Sequence, residues 1–414
     1  MLRQGWSGVV TSVVVLALSA RVGYAQDASK DEEIKDLKRR LEIVEKEQQK
    51  EKSSGAALVS EPVEEKWYDK VHVGGGVRTT FRVTEVDLPT GETTKSKDFT
   101  LESGRLYTGG KINEFLSVTL NAEFTSGGAS VLDAICQMKV SDGLNFFFGR
   151  ALPATDRSNS DGPYYLSTWD FPFLSDGFNA TGKLGDREDG ITVWGDVGNF
   201  KYWVGVYEGF EHGTPTANIG DALLYAARVQ YNFLDAEPGY YLQSTYYGEK
   251  SILAIGLVAN YQANAAGGAI EHANYGNVEL DFLFEKKLDF LLDGTLTVEA
   301  GLYYFGRQGF GAAEGGAGPF DVGAGTGVLF SVAYLIPGQV GWGRFQPHIR
   351  YQGFDESETN AVKNPTSDSV ARWDIGVNYV MVGHNARISL VYSHTNVSGP
   401  QEFGMWTLGS QFQF

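Results

Sequence analysis

The sequence predicts an all-β fold: a 16-stranded antiparallel transmembrane β-barrel preceded by a short N-terminal coiled-coil helix. Three observations predict it. Apolar and polar residues alternate over many segments of about ten residues, the first 25 residues read as an export signal, and the last segment carries aromatic or apolar residues on one face up to Phe414. Composition agrees. The 414 residues include 52 Gly, 25 Phe, 21 Tyr and 8 Trp, yet mean hydropathy is -0.21 and no run of 18 apolar residues exists to build a helical membrane bundle. A single cysteine excludes an internal disulfide framework and any Cys-rich metal site. The net charge of -17 repels nucleic acid, so no nucleic-acid partner is expected.

Residues 1–25 contain Arg3, the apolar run Val13–Leu18 and the small-residue stretch ending Gly23-Tyr24-Ala25, the pattern of a signal peptide cut after Ala25. The apolar run is too short for a spanning helix, which needs about 20 residues. Residues 26–52 are dense in charge, with apolar residues only at Ile34, Leu37, Leu41 and Val44. Those spacings make a narrow heptad seam that is either self-associating or a solvated spacer. Residues 53–66 read as a linker. From Trp67 to Phe414 the period becomes two, defining the barrel.

Within that region Leu116, Val118, Leu120, Ala122 and Phe124 oppose Ser117, Thr119, Asn121 and Glu123. Tyr225, Ala227, Val229, Tyr231 and Phe233 oppose Arg228, Gln230 and Asn232, and Ile388, Leu390 and Tyr392 oppose Arg387, Ser389 and Ser393. A soluble sandwich turns its polar faces to bulk water, whereas a membrane barrel turns apolar faces to lipid and keeps Arg, Glu and Gly in a wet lumen. Aromatics near strand ends, as in Val71–Phe81 and Trp373–Tyr379, match interfacial girdles. Trp406, Leu408, Phe412 and Phe414 share one face of the last segment, which resembles the assembly signal of bacterial outer-membrane barrels. In hydrocarbon every backbone group must be paired, so such a sheet closes on itself.

Long breaks fall at Glu85–Lys97, Leu152–Arg187, Phe210–Gly220, Ala263–Asn274, Gly306–Gly325 and Phe354–Ser369. Treating Asp235–Lys250 as one connection gives 16 strands; treating its aromatic run as a strand gives 17. Bacterial single-chain barrels are even-numbered, which selects 16. That number leaves an aqueous channel.

The stretches Phe146–Arg150 (FFFGR), Tyr246–Leu257 (YYGEKSILAIGL) and Trp373–Tyr379 (WDIGVNY) resemble segments of the phosphate-selective porin family, over most of the chain after Trp67. The resemblance implies a 16-stranded, trimeric outer-membrane channel for small ions. Anion selectivity in that family rests on pore-lining Arg and Lys, whereas this barrel region holds 23 basic and 39 acidic residues. The acid excess favours cations if it faces the lumen. On outer loops it would instead hold divalent ions that bridge lipopolysaccharide.

The longest break, Leu152–Arg187, mixes aromatics with Asp156, Arg157, Asp161, Asp170 and Asp176, and is expected to fold into the lumen with its aromatics on the wall and its carboxylates in water. Wall arginines on polar faces are Arg78, Arg82, Arg228, Arg350, Arg372 and Arg387, and Glu123 is among the facing carboxylates; an arginine at the lipid midplane would cost about 2–4 kcal/mol. These twelve residues are the candidates for pore lining and constriction. Cys136, alternating with Leu132, Ala134 and Met138, reads as a lipid-facing small hydrophobe. The six histidines stand in no hydrolase motif, and no cofactor, metal or enzymatic activity is expected.

The expected function is passive diffusion of ions and small hydrophilic solutes across the bacterial outer membrane, with lipid and lipopolysaccharide as surroundings. The alternative is a barrel sleeve for an electron-transfer cytochrome; any haem would belong to that partner, since one cysteine cannot make a C-x-x-C-H motif.

Overall fold

The computed structural model describes residues 70–87, 92–176, 187–209, 222–267, 272–289, 293–307, 325–356, 369–397 and 402–414. The expected signal peptide, coiled-coil helix and linker fall in residues 1–66, outside the described residues.

Sixteen strands make one closed antiparallel barrel in which each strand pairs with its sequence neighbours and the first with the last. They are β1 (Val71–Asp87), β2 (Thr93–Lys111), β3 (Leu116–Thr125), β4 (Gly128–Ser141), β5 (Leu144–Ala151), β6 (Glu188–Val197), β7 (Phe200–Tyr207) and β8 (Leu224–Asn232). The second half holds β9 (Ile252–Gly267), β10 (His272–Leu288), β11 (Gly294–Arg307), β12 (Gly325–Leu335), β13 (Arg344–Glu356), β14 (Ser369–Val382), β15 (Ala386–Val397) and β16 (Glu402–Gln413). Two short helices, α1 (Arg157–Asp161) and α2 (Phe173–Asp176), lie in the β5–β6 connection.

Alternation sets the two faces. Tyr225, Val229 and Tyr231 are exposed on the outer surface while Arg228, Gln230 and Asn232 are buried inside; Val278 and Leu280 oppose buried Asn277, Glu279 and Asp281. On β16, Trp406, Leu408 and Phe412 face outward, and Cys136 of β4 is likewise exposed. The seam β1·β16 is in register from Gly76↔Gln413 to Asp87↔Glu402, and Phe414 exchanges backbone hydrogen bonds with Gly75.

Three details depart from the sequence reading. Glu85–Lys97 and Ala263–Asn274 are mostly strand, because β1 and β2 pair out to Asp87↔Thr93, and β9 and β10 to Gly267↔His272. Polar strand tips, stitched here by Lys95–Glu85 at 2.5 Å and Thr93–Asp87 at 2.6 Å, have the composition of loops. Leu132 faces inward, not outward with Cys136: the β3·β4 register shifts between Asn121 and Ala122, so Leu132 is an extra residue and both it and Asp133 are buried. The lumen is not lined by polar residues alone. Ile135, Phe147, Trp203, Tyr207, Leu224 and Ala226 point in and pack with Ala154, Tyr240 and Leu242, and a second internal cluster joins Tyr303, Phe305, Leu329 and Phe354 to Phe173 and Leu174.

Candidate functional site

Those apolar clusters exist because two segments fill the lumen. Short turns join the strands at one end of the barrel and longer loops at the other; the first insert, residues 152–176, enters from the loop end. Its backbone is gripped by wall side chains. Arg78 donates to the Trp169 carbonyl at 2.6 Å, Arg387 to the Leu166 carbonyl at 2.6 Å, and Arg350 to the Asp170 carbonyl and Thr168 Oγ1, both at 2.7 Å. Asn378 donates to the Ser167 carbonyl and Gln411 to the Tyr164 carbonyl, each at 2.8 Å. Trp169 lies between two guanidiniums, with Arg78 4.1 Å and Arg387 5.8 Å from its ring centre. The wall admits these rings because it carries glycine beneath them: a Cβ on Gly76 would come within 2.7 Å of Tyr164, and one on Gly409 would overlap the Trp169 indole.

The second insert, residues 233–251, enters from the turn end. The sequence reading took it as a single connection, and it contains no strand. It interlocks with the first insert. Arg157 makes a two-pronged pair with Glu237 at 2.8 and 2.9 Å and donates to the Gln243 carbonyl at 2.9 Å; Tyr240 donates to the Leu152 carbonyl at 2.5 Å, and Ser244 to Asp161. Arg228 of β8 pairs with Asp281 of β10, which also accepts the Arg157 backbone N–H at 3.2 Å. Thr245, Tyr246 and Gly248 converge on Glu285. His384, in the β14–β15 turn, bridges both inserts, its Nδ1 3.2 Å from the Tyr164 carbonyl and its Nε2 2.8 Å from the Thr245 carbonyl, between the rings of Tyr165 and Tyr247.

Burial and pairing set the ionisation of these groups. Burial pushes Asp156 and Asp161 above the usual carboxylate range, reinforced by Asp281 and Glu299 respectively. Burial also works against charge on Glu237, but the Arg157 guanidinium, with the Tyr246 hydroxyl and Lys201, outweighs it and holds Glu237 below that range; burial opposes the charge on Arg157 too, yet Glu237 holds it above its ordinary value. Burial and the nearby Arg387 lower His384 to about 4.

Among the described residues, three cavities follow the inner face of β3. A loop-end cavity of about 550 Å³ is lined by Arg78, Arg82, Glu102, Ser103, Arg105, Glu123, Asp170 and Arg372; a middle cavity of about 280 Å³ shares Arg105 and adds Tyr107, Asn121, Asp133, Arg187 and Tyr241. A turn-end cavity of about 870 Å³ is lined by Lys111, Lys139 and Lys201, by Glu114, Asp142, Asp196 and Glu237, and by Ser117 and Gln137. One strand threads all three, since the inward residues Glu123, Asn121 and Ser117 of β3 line them in that order.

The twelve candidates divide into three groups. Arg78, Arg82, Glu123, Asp170 and Arg372 line the loop-end cavity and Asp161 the middle one. Asp156, Arg157, Arg228, Arg350 and Arg387 are buried within the interlock; for Asp176 only the backbone is described. The expectation that the loop carboxylates face water fails for Asp156 and Asp161, 2% and 3% exposed: Ser175 and Tyr303 close on Asp156, and Ser244 of the second insert on Asp161. Sequence reasoning passed over Glu102, Ser103, Arg105, Tyr107, Arg187 and Tyr241. Ser103, Arg105 and Tyr107 carry the period-two signal. Glu102 does not: the β1·β2 register shifts between Arg78 and Thr79, so Glu102 is a bulge residue that joins Ser103 on the inner face, where it meets Arg82 and the Trp169 indole.

A closed barrel of 16 strands with a loop folded inside defines a porin-type fold. Solved structures agree with it. The chain is similar to an anion-selective porin from Comamonas acidovorans (TM-score 0.53, 14% identity, covering 83% of this chain and 99% of that one). It is also similar to OmpF of Salmonella typhi, in a complex with daunomycin (0.54, 9%, 83% and 97%), and to OprB of Pseudomonas putida at high pH (0.57, 8%, 84% and 95%). At these identities the likeness is one of fold. No family model matches the sequence, and no curated protein matches it.

Proposed function

We propose that the protein is an outer-membrane channel through which ions and small hydrophilic solutes diffuse passively, without catalysis, along the wall of β2–β4. The file of polar cavities carries this reading: along it charged side chains of both signs border open space. The loop end then faces the exterior and the turn end the periplasm. Residues 1–25 act as the export signal, 26–52 as a coiled-coil or spacer helix, and 53–66 as a linker. Lipid and lipopolysaccharide surround a trimer. The resemblance to phosphate-selective porins and the anion selectivity of the Comamonas porin make anions the favoured cargo. The barrel's acid excess does not oppose this, because the two upper cavities balance five arginines, Arg78, Arg82, Arg105, Arg187 and Arg372, against five carboxylates, Glu102, Glu123, Asp133, Asp161 and Asp170. A cytochrome sleeve is disfavoured, since cavities of this size hold small solutes and not a protein.

Single-channel recording of the purified mature protein in a planar bilayer, under a tenfold KCl gradient, tests the reading. Small stepwise conductance, in threes for a trimer, is the expected result. A folded barrel that never conducts overturns it.

A further inference from the structure

The loop-end cavity holds four guanidiniums, and three of them are matched. Arg82 pairs with Glu102 at 2.5 Å and Asp170 at 2.6 Å, Arg105 with Glu123 at 2.8 Å, and Arg372 with Asp374 at 2.8 Å and Asp170 at 3.3 Å. Arg78 has no ion pair among the described residues. It is 4% exposed, it donates to the Trp169 backbone carbonyl, and its Nε has no hydrogen-bond partner among them. The face of Trp169 offsets part of its charge. A buried cation without a direct counter-ion is costly, and the residues that line the cavity carry four guanidiniums against three carboxylates, those of Glu102, Glu123 and Asp170.

The same cavity has an apolar side. Phe171, Phe173, Phe403 and Met405 line it together with the arginines. At about 30 Å³ per water, 550 Å³ has room for roughly eighteen waters, so a solute of about ten heavy atoms fits with space to move.

We propose that this cavity is a binding subsite for a small organic monocarboxylate with an apolar body, its carboxylate on Arg78 and its body against Phe171, Phe173 and Phe403. A dianion such as phosphate brings a second charge into a space already bordered by Glu102, Glu123 and Asp170, and gains nothing from the aromatic side. The proposal rests on the channel reading and narrows its cargo.

The test is current block of the full-length protein in a planar bilayer, with benzoate, acetate and inorganic phosphate as probes. Benzoate is expected to interrupt the current reversibly at millimolar concentration, at least about tenfold below acetate and phosphate, and Arg78→Gln to raise its half-blocking concentration by about tenfold or more. Because Arg78 also seats Trp169, Phe403→Ser provides a variant with all four charges kept: it is expected to erase the preference for benzoate over acetate. Phosphate blocking at or below the benzoate concentration overturns the subsite, as does equal benzoate block of wild type and both variants. A barrel that does not conduct defeats the channel reading alone. Equilibrium dialysis of radiolabelled benzoate against the detergent-solubilised chain then decides: saturable binding lost in Arg78→Gln supports the subsite, and its absence up to about 100 mM overturns it.

Discussion

Removing the carboxylate of Glu237 should release the turn-end insert from the lumen. Arg157 is fully buried, and its side chain bonds Glu237 twice, the Gln243 carbonyl at 2.9 Å and Gln230 at 3.4 Å. Glu237→Leu leaves that guanidinium with Asp281, 3.9 Å away and already paired with Arg228. Breaking a buried ion pair from one side costs about 3–5 kcal/mol, so Glu237→Leu is expected to lose roughly that much stability. In Arg157→Met/Glu237→Leu neither charge is left behind, and most of the loss should return, because replacing both members of a buried pair is often near neutral. Urea midpoints of the wild type, both single variants and the double variant give the coupling energy, and bilayer recording gives the consequence: a larger conductance in Glu237→Leu, restored in the double variant. A Glu237→Leu barrel within about 0.5 kcal/mol of wild type and of unchanged conductance would refute the interlock. Acid offers the same perturbation without mutation. The folded pKa of Glu237 is lowered, so its contribution is complete above the ordinary carboxylate pKa and is lost as pH falls through the lowered value.

Other perturbations probe the remaining parts. Asn121→Trp, which fills the middle cavity from β3, should cut conductance at least about tenfold, while Leu120→Trp on the outer face leaves it unchanged; equal effects would place the passage elsewhere. Gly409→Val should displace the Trp169 indole, seen as a change in tryptophan fluorescence, and lower the unfolding free energy by about 1–3 kcal/mol, the range for overpacking. His384 has a folded pKa of about 4 against an ordinary 6.5, so its stabilisation is complete above 6.5 and declines as pH falls toward 4; His384→Gln should flatten that part of the melting-temperature profile, and an unchanged profile would remove His384 from the account. Cys136, on the outer face, should react with an apolar maleimide in bilayers and not with a charged, membrane-impermeant one.

The barrel was legible in the sequence because its rule is local. Each strand repeats an alternation that two or three residues suffice to display, and the parity of the strands placed residues 235–250 in one connection. The site was less legible because it is assembled across long separations: Arg157 meets Glu237 80 residues away, and its backbone meets Asp281 124 residues away. No local pattern announces that Asp161 will be met by Ser244 from the opposite end, or Asp156 by Tyr303 of β11. The bulges at Glu102 and Leu132 defeat alternation for another reason. One extra residue resets the phase, and nothing in the side chains marks where. Arg78, by contrast, was found at its correct face; its lack of a carboxylate emerges only when the partners of the other three arginines are counted.

The loop-end insert holds both sides of the joint where the chain meets itself. Thr79 and Ser410, hydrogen-bonded across β1 and β16, are 331 residues apart, the greatest separation any strand pair in a single barrel must close. Trp169 and Tyr164 stand between them: Arg78 and Gly76 of β1 and Gln411 and Gly409 of β16 receive the same two rings and their carbonyls. Closure is thereby divided into two shorter spans, of 91 residues from Arg78 to Trp169 and 247 from Tyr164 to Gln411. The segment that narrows the lumen is also a clasp. Barrels whose insert is shortened should assemble slowly, and should open first between β1 and β16.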